Sequence, residues 1–290
     1  MEKIVFGGKE IRVVQSHEIS EAVEALFVKA NYTLTEDVTN CIARAKQSET
    51  NPLAKQVLTR LIDNVEAAKE IDVPVCQDTG MAVVFIYIGD EVYVNGNIVD
   101  AVNEGVRKAY VEGALRLSVV RDPLYDRSNT NDNTPAIVHI RHVQGDRIRI
   151  VALPKGFGSE NMSALKMFTP SATEDDIVKF VVDTVIKAGS NPCPPICVGV
   201  GIGGDFEWCA TLAKESFCRP LDDKNKDERY AALEERMLCE INKTGIGPQG
   251  FSGDTTALSV KISAAPTHIA GLPVAVNINC HVIRHGEIVI

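Results

Sequence analysis

Val75-Cys76-Gln77-Asp78-Thr79-Gly80 leads straight into Met81-Ala82-Val83-Val84-Phe85-Ile86-Tyr87-Ile88. The second stretch is a continuous apolar run, the pattern of a strand buried on both faces. The first sets a thiol, an amide and a carboxylate side by side at the mouth of that strand. Packing alone does not favour Cys-Gln-Asp there. A cysteine thiolate is a soft metal ligand, and a carboxylate or amide can deprotonate or orient a polar substrate.

Working outward, the residues before Pro74 read as helices after a short strand-like start. Helical spacing predicts one helix from Ser16 or His17 to about Asn31. A second is capped by Thr35, with Glu36 and Asp37 in its first turn, and a third is opened by Asn51-Pro52. Beyond the apolar run, Asn95-Gly96 is a turn signal. Ile98 to Val120 reads as a helix carrying Arg107 and Arg116, and the Asn- and Asp-rich stretch Arg121 to Pro135 as a loop. Ala136–Arg141 and Arg147–Leu153 read as a hairpin. Later come a helix capped by Thr173 and Asp176 and stopped by Gly189, a strand Ile196–Val200, a helix Phe206–Phe217 and a charged helix Lys224–Thr244. Three strand-like segments close the chain: Ala257–Ile262, Leu272–Ile278 and Glu287–Ile290. The expectation is an α/β fold, with an N-terminal helical segment followed by mixed-sheet α/β lobes. Residues 1–290 form either one catalytic domain or two lobes, about 1–150 and 151–290. No internal repeat is visible.

The 290 residues carry a net charge of -9 with no run of Lys or Arg, which argues against nucleic acid as a partner. No apolar stretch reaches the roughly 18–20 residues that span a membrane. Met1-Glu2-Lys3-Ile4-Val5 is not followed by the apolar region of a signal peptide. The expected location is the cytoplasm, where the eight cysteines stay reduced.

Those cysteines divide into two groups. Cys41, Cys209, Cys218 and Cys239 fall in predicted helices, where a cysteine is ordinarily a small buried hydrophobe. Cys76, Cys193, Cys197 and Cys280 do not. Prolines flank Cys193 in Asn191-Pro192-Cys193-Pro194-Pro195, and Cys280 closes the strand Leu272–Ile278. Spacing alone leaves them open between core fillers, metal ligands and reactive thiols.

Three glycine-rich segments stand out. Gly199-Val200-Gly201-Ile202-Gly203-Gly204 formally matches a dinucleotide fingerprint, but no second strand ending in Asp or Glu follows. A tight strand-to-helix turn that lets another surface come close is the alternative. Lys155-Gly156-Phe157-Gly158-Ser159-Glu160-Asn161 is either a plain connection or a loop whose N–H groups bind a carboxylate. Gly245 to Asp254 has no chemical role that its residues reveal. Arg116 reads as a helix-end cation and His268 as a loop histidine. His139, His142, His281 and His285 carry no signal of function.

Cys76-Gln77-Asp78-Thr79-Gly80, Asn191-Pro192-Cys193-Pro194-Pro195 and Cys280 with His268 twelve residues before it together resemble the iron–sulfur, class I type of fumarase, in its two-subunit form. The resemblance spans nearly the whole chain. The separations are similar too: 117 residues (193 minus 76) and 87 residues (280 minus 193). It implies a [4Fe–4S] cluster held by Cys76, Cys193 and Cys280, with Cys197 structural. Three thiolates on four irons leave one iron open as a Lewis acid, whereas a four-cysteine cluster would be expected to transfer electrons.

The resemblance further makes Gln77, Arg116 and Gly158 binders of substrate carboxylates, and Asp78 and His268 the candidate proton-transfer groups. It implies a hydro-lyase of the tricarboxylic acid cycle interconverting fumarate plus water and L-malate. Single-chain members continue into a second domain, so this chain looks like an α subunit whose β subunit completes the site in an α2β2 assembly. Ser159-Glu160-Asn161-Met162 looks more like the fumarase than the tartrate dehydratase branch. The alternatives are dehydration of another hydroxy-diacid such as L-tartrate, and a non-catalytic iron–sulfur or nucleotide-binding subunit.

Overall fold

The computed structural model describes residues 2–290; Met1, where the stretch read as leaderless begins, lies outside them. The chain opens with strands β1 (Glu2–Phe6) and β2 (Lys9–Gln15) and helices α1 (Ser16–Tyr32), α2 (Glu36–Ser48) and α3 (Pro52–Glu70). Asn51 opens α3, accepting from the N–H groups of Leu53 and Ala54 at 2.9 and 3.3 Å. Next come β3 (Met81–Gly89), β4 (Val92–Asn95), α4 (Ile98–Glu112), β5 (Ile137–Val143) and β6 (Ile148–Lys155). The rest is α5 (Phe157–Glu160), β7 (Ala164–Phe168), α6 (Glu174–Ala188), β8 (Ile196–Gly204), α7 (Phe206–Glu215), α8 (Glu228–Asn242), β9 (Ala257–Thr267), β10 (Leu272–Asn279) and β11 (Gly286–Val289). The fold is mixed α/β, a helical N-terminal segment followed by mixed sheets. Among the described residues no helix is long and apolar enough to cross a membrane.

Two compact units form, each from separate stretches of chain. One comprises the N-terminal segment through Thr33, Ile71–Lys155 and Arg284–Ile290; the other comprises Leu34–Glu70 and Gly156–Ile283. In the first unit a four-stranded sheet has the order β11-β6-β3-β5, and β1-β2-β4 form a smaller one. Ala82, Val84, Ile86 and Ile88 of β3 and Ile148, Ile150 and Ala152 of β6 share one core with Val23 and Phe27 of α1 and Val102, Val106 and Tyr110 of α4. Val83 and Phe85, on the opposite face of β3, are buried as well. Each valine, isoleucine or phenylalanine side chain so removed from water contributes about 1.5–3 kcal/mol, which is what the unbroken apolar run encodes.

In the second unit the sheet order is β7-β10-β8-β9. One face, with Val198 and Val200 of β8 and Val274 and Val276 of β10, packs on Val181 and Val185 of α6 and Met237 and Ile241 of α8. The other face of β8 carries Gly199 and Gly201. A Cβ there would fall 2.1 Å from the Ala213 carbonyl oxygen and 2.0 Å from that of Cys209. The glycines thus admit the backbone of α7 against the strand. They lie inside β8 rather than in a phosphate-binding turn, so the dinucleotide reading has no open backbone to rest on.

The two sheets repeat one plan that the sequence does not disclose. In each, the first of three strands is inserted between the next two. β3 lies parallel to β5 and antiparallel to β6; β8 lies parallel to β9 and antiparallel to β10. The expected hairpin of Ala136–Arg141 with Arg147–Leu153 is therefore not formed. Both segments are strands, but β3 sits between them, because a strand apolar on both faces gains most from pairing along both edges.

A second departure concerns Arg116, expected on a helix running to Val120. The helix stops at Glu112, with Gly113 closing it and Ala114 turning to φ +50°. Arg116 lies beyond it, in neither helix nor strand.

Candidate active site

The inserted-strand plan decides where the candidate residues go. Antiparallel neighbours bring the start of one strand beside the end of the other. Met81, at the start of β3, pairs with Lys155 at the end of β6, and Cys197, at the start of β8, pairs with Asn279 at the end of β10. Cys76 precedes the inserted strand of the first unit, and Cys193 precedes that of the second. Cys280 follows the strand that ends at the same edge as Cys193.

In the first unit the loop Cys76-Gln77-Asp78 is pinned at both ends. The Val75 N–H donates to the Asn31 carbonyl at 2.9 Å, and the Arg284 guanidinium donates to the Asn31 side chain at 2.7 Å. On the far side the Arg116 N–H donates to the Thr79 hydroxyl oxygen at 3.0 Å, and that hydroxyl donates to the Arg116 carbonyl at 3.3 Å. The Tyr110 hydroxyl donates to the carbonyls of Thr79 and Gly80 at 2.8 and 3.0 Å. Burial pushes the Tyr110 phenol well above its usual value, so it stays a donor. Fully buried Asn133 adds a bond from its side-chain N–H to the Gly80 carbonyl at 3.2 Å. Gly80 itself has φ +80°, and a Cβ would lie 2.7 Å from the Lys155 nitrogen, so no other residue fits there.

This frame leaves Cys76 and Asp78 half-buried and Gln77 and Arg116 exposed. The Asp78 carboxylate is turned over its own loop and accepts from the Gly80 N–H at 3.0 Å. The expected companions Cys76, Gln77, Asp78 and Arg116 are thus brought together, through Thr79.

In the second unit Cys193 is exposed and held at φ +53°, a left-handed conformation unusual for a cysteine. Its carbonyl lies 2.9 Å from the His281 Nδ1. His281 directly follows Cys280, so the ring ties the two cysteine-bearing segments together. Gln249 joins them: its main-chain N–H and its side-chain amide each donate to the Pro194 carbonyl at 2.7 Å. That gives the glycine-rich segment Gly245–Asp254 a place. Its far end is fixed by Glu49, a buried carboxylate accepting from the N–H groups of Asp254 at 2.9 Å and Thr255 at 3.1 Å. Asp254 in turn accepts from the Thr50 N–H at 2.9 Å, and the Thr50 hydroxyl bonds to the same carboxylate and lowers its pKa.

Cys197 behaves differently. It is 1 % exposed, and burial pushes its thiol well above the ordinary value. A thiolate is strongly disfavoured there. None of the eight cysteines is in a disulfide. Among the described residues no three or more His, Cys, Asp or Glu side chains converge as for a single metal ion.

Gly158 lies exposed in the short α5, and a Cβ on it would meet only the Asn191 carbonyl oxygen, at 3.8 Å. The segment after it is docked by Glu160, which pairs with Lys214 and accepts from the Asn277 side chain at 2.9 Å. His268 stands apart. It forms the turn between β9 and β10, with its Nδ1 accepting from the Ala270 N–H at 3.1 Å. That turn is at the opposite end of the sheet from Cys280. The eight residues of β10 separate them by roughly 25 Å at about 3.4 Å per residue. The second unit therefore joins Cys193 with Cys280 and does not join either with His268.

Residues that sequence reasoning missed are the positioning ones: Thr79, Tyr110, Asn133, Glu49, Gln249 and His281. None of them carried a signal of function in the sequence, His281 included, although it directly follows Cys280.

The family described as fumarate hydratase (fumerase) matches residues 20–289. A Methanocaldococcus jannaschii protein provisionally named L(+)-tartrate dehydratase subunit alpha is 41% identical over 268 residues, covering 91% of this chain and 94% of that protein. The L(+)-tartrate dehydratase subunit alpha of Escherichia coli O157:H7 is 28% identical over 278 residues, covering 94% of this chain and 91% of its own length. The same-named protein of Shigella sonnei (strain Ss046) is also 28% identical over 278 residues. With a match over almost its entire length, the chain belongs to the fumarate hydratase (fumerase) family.

Proposed function

We propose that this chain is the α subunit of an iron–sulfur fumarate hydratase, interconverting fumarate plus water and L-malate. At the level of the family, the chain is a hydro-lyase of hydroxy-diacids. The carrying observation is the set of three non-helical, solvent-reachable cysteines at strand ends. Cys76 and Cys193 precede the inserted strand of each sheet, and Cys280 is tied to Cys193 through His281.

That donor set fits a [4Fe–4S] cluster. Cys76, Cys193 and Cys280 are open to a ligand, while the fourth non-helical thiol, Cys197, is shut in and held protonated by burial. Held by three cysteines, the cluster would supply one iron without a thiolate, a Lewis acid for the substrate hydroxyl. Arg116 offers a planar two-point contact to one carboxylate of the diacid, and Gln77 an amide to the same region. Main-chain N–H groups around Gly158 suit the other carboxylate. Asp78 takes the proton from the carbon next to the departing hydroxyl, and returns it when water adds. We rank Asp78 ahead of His268 as the base, because Asp78 shares a pinned loop with Cys76 and Gln77.

The relatives' names as alpha subunits support a separate β subunit, which would complete the site in an α2β2 assembly. Eight cysteines with no disulfide among them suit a reducing compartment, the cytoplasm. A second reading, dehydration of L-tartrate, is favoured by those same names. Anaerobic co-production with the β subunit, followed by kcat/KM for fumarate, L-malate and L-tartrate, decides between them. A preference for tartrate would replace the fumarate reading, and no turnover of any of the three would remove both.

A further inference from the structure

We propose that His281 and Gln249 act as a positioning pair that clamps the Cys193 segment against Cys280 and so sets the presentation of the two thiols. The inference rests on the iron–sulfur reading above and assigns a role to two residues outside its ligand set.

Three observations carry it. Cys193 adopts φ +53°, a conformation that a cysteine keeps only when its surroundings impose it. The bonds that impose it come from distant residues. Besides the local bond from the Cys193 N–H to the Ser190 carbonyl at 3.0 Å, the Cys193 carbonyl meets the His281 ring at 2.9 Å. The next carbonyl, that of Pro194, receives both donors of Gln249 at 2.7 Å. Gln249 is itself at φ +54°, within the turn Pro248–Gly250.

The chemistry of the contacts fixes their roles. A carbonyl can only accept, so Nδ1 of His281 carries the proton and donates to Cys193. The Gln249 side-chain nitrogen lies 3.3 Å from the same Nδ1. Being a donor facing a donor, it makes no bond to the ring and directs one of its two hydrogens to Pro194 instead. The two residues, side by side, therefore hold successive carbonyls, those of Cys193 and Pro194. Cys280 cannot shift without moving His281, and His281 cannot shift without releasing Cys193. A metal group spanning the two thiols would find their separation already set.

The test uses the full chain in three forms: wild type, His281→Ala and His281→Asn. The asparagine side-chain N–H can replace the Nδ1 donor, while alanine cannot. Gln249→Glu, which turns a donor toward Pro194 into an acceptor, is a fourth. Hydrogen exchange on the cluster-free chains is read for residues 190–195 and 247–252, with β8 and β10 as internal references. Iron and sulfide are then loaded anaerobically, and the rate of iron loss to a chelator is measured.

We expect exchange in the two segments to rise at least tenfold in His281→Ala and Gln249→Glu, with β8 and β10 unchanged. His281→Asn should stay within threefold of wild type. Iron loss should follow the same order. Unchanged exchange in His281→Ala overturns the clamp. Faster exchange with unaltered iron loss overturns its role toward the thiols. Faster exchange throughout β8 and β10 means that His281 is simply a folding residue, and also overturns it. If wild type takes up no iron and sulfide at all, the cofactor reading fails instead, and the exchange data still decide the clamp.

Discussion

Thr79 and Arg116 are bonded through one hydroxyl: its oxygen accepts the Arg116 N–H at 3.0 Å and its hydrogen reaches the Arg116 carbonyl at 3.3 Å. The residues are far apart in sequence, yet this contact, not a helix, sets the backbone of Arg116 beside the Cys76-Gln77-Asp78 loop. Thr79→Val keeps the shape and removes both bonds. It should destabilise the protein by about 1–3 kcal/mol, since each net hydrogen bond is worth about 0.5–1.5 kcal/mol. It should also lower kcat/KM through KM. Urea unfolding and steady-state kinetics read the two effects; an unaltered KM would mean that the guanidinium is not used on the substrate.

Direct replacement of Arg116 should be more severe in the assembled enzyme. The diacid is a dianion and the protein carries -9, so binding depends on local cations. If the complex desolvates the pairing, Arg116→Ala should cost on the order of 2–5 kcal/mol in kcat/KM, and Arg116→Lys should restore only part of it. Iron content should not change in either.

Cys76→Ser, Cys193→Ser and Cys280→Ser should each abolish iron retention and the brown colour. Cys239→Ser, on the exposed face of α8, should leave both intact. Air should inactivate the wild-type enzyme, with recovery on adding Fe(II) and a reductant. Full, lasting activity in air would contradict an iron without a thiolate.

Gly158→Ala and Gly201→Ala should separate function from folding. The new methyl at 158 meets nothing closer than 3.8 Å, so unfolding should shift little, and a loss of kcat/KM would be the signature of a carboxylate-binding backbone. At 201 the methyl lands 2.0 Å from the Cys209 carbonyl oxygen, and the folded yield should collapse. Normal activity in Gly158→Ala would return that loop to a plain connection.

Stability should fall with rising pH in the alkaline range. Burial raises the thiols of Cys197, Cys41 and Cys209 above their ordinary value in the folded protein. The unfolded chain ionises them from about pH 8.5 upward while the folded chain keeps their protons. The native state then binds more protons than the unfolded one, so the slope of stability with pH is negative. The urea midpoint should decline from about pH 8.5 to 10, and Cys197→Ala should flatten that decline. An equal decline in Cys197→Ala would assign the effect to other groups.

Local pattern carried most helices and strands because their signals are short-range. Asn51-Pro52 opens a helix and Thr173 with Asp176 caps another, by bonds within a few residues. The failures arose where the decisive partner is distant. Ile98–Val120 looked helical because nothing nearby announces that Ala114 turns left-handed and Thr79 captures Arg116. The missed insertion of β3 depends on Val83 pairing with Ile137, more than fifty residues on. The cysteine motifs were legible as motifs. The hold of Gln249 on Pro194 was not, since a glutamine in a glycine-rich loop has no local reason to reach a proline carbonyl.

The strand β11 has a consequence for how the protein is made. It pairs with β6, and Ile290 and Ile148 exchange both their backbone bonds at 2.9 Å. Between β6 and β11 the chain passes through the long stretch Gly156–Ile283 of the other unit. On the ribosome, β6 is therefore synthesised well before the segment that covers its outer edge. At about 5–20 residues per second, that edge stays open for roughly 6–26 seconds, a window in which a chaperone or another nascent chain could occupy it.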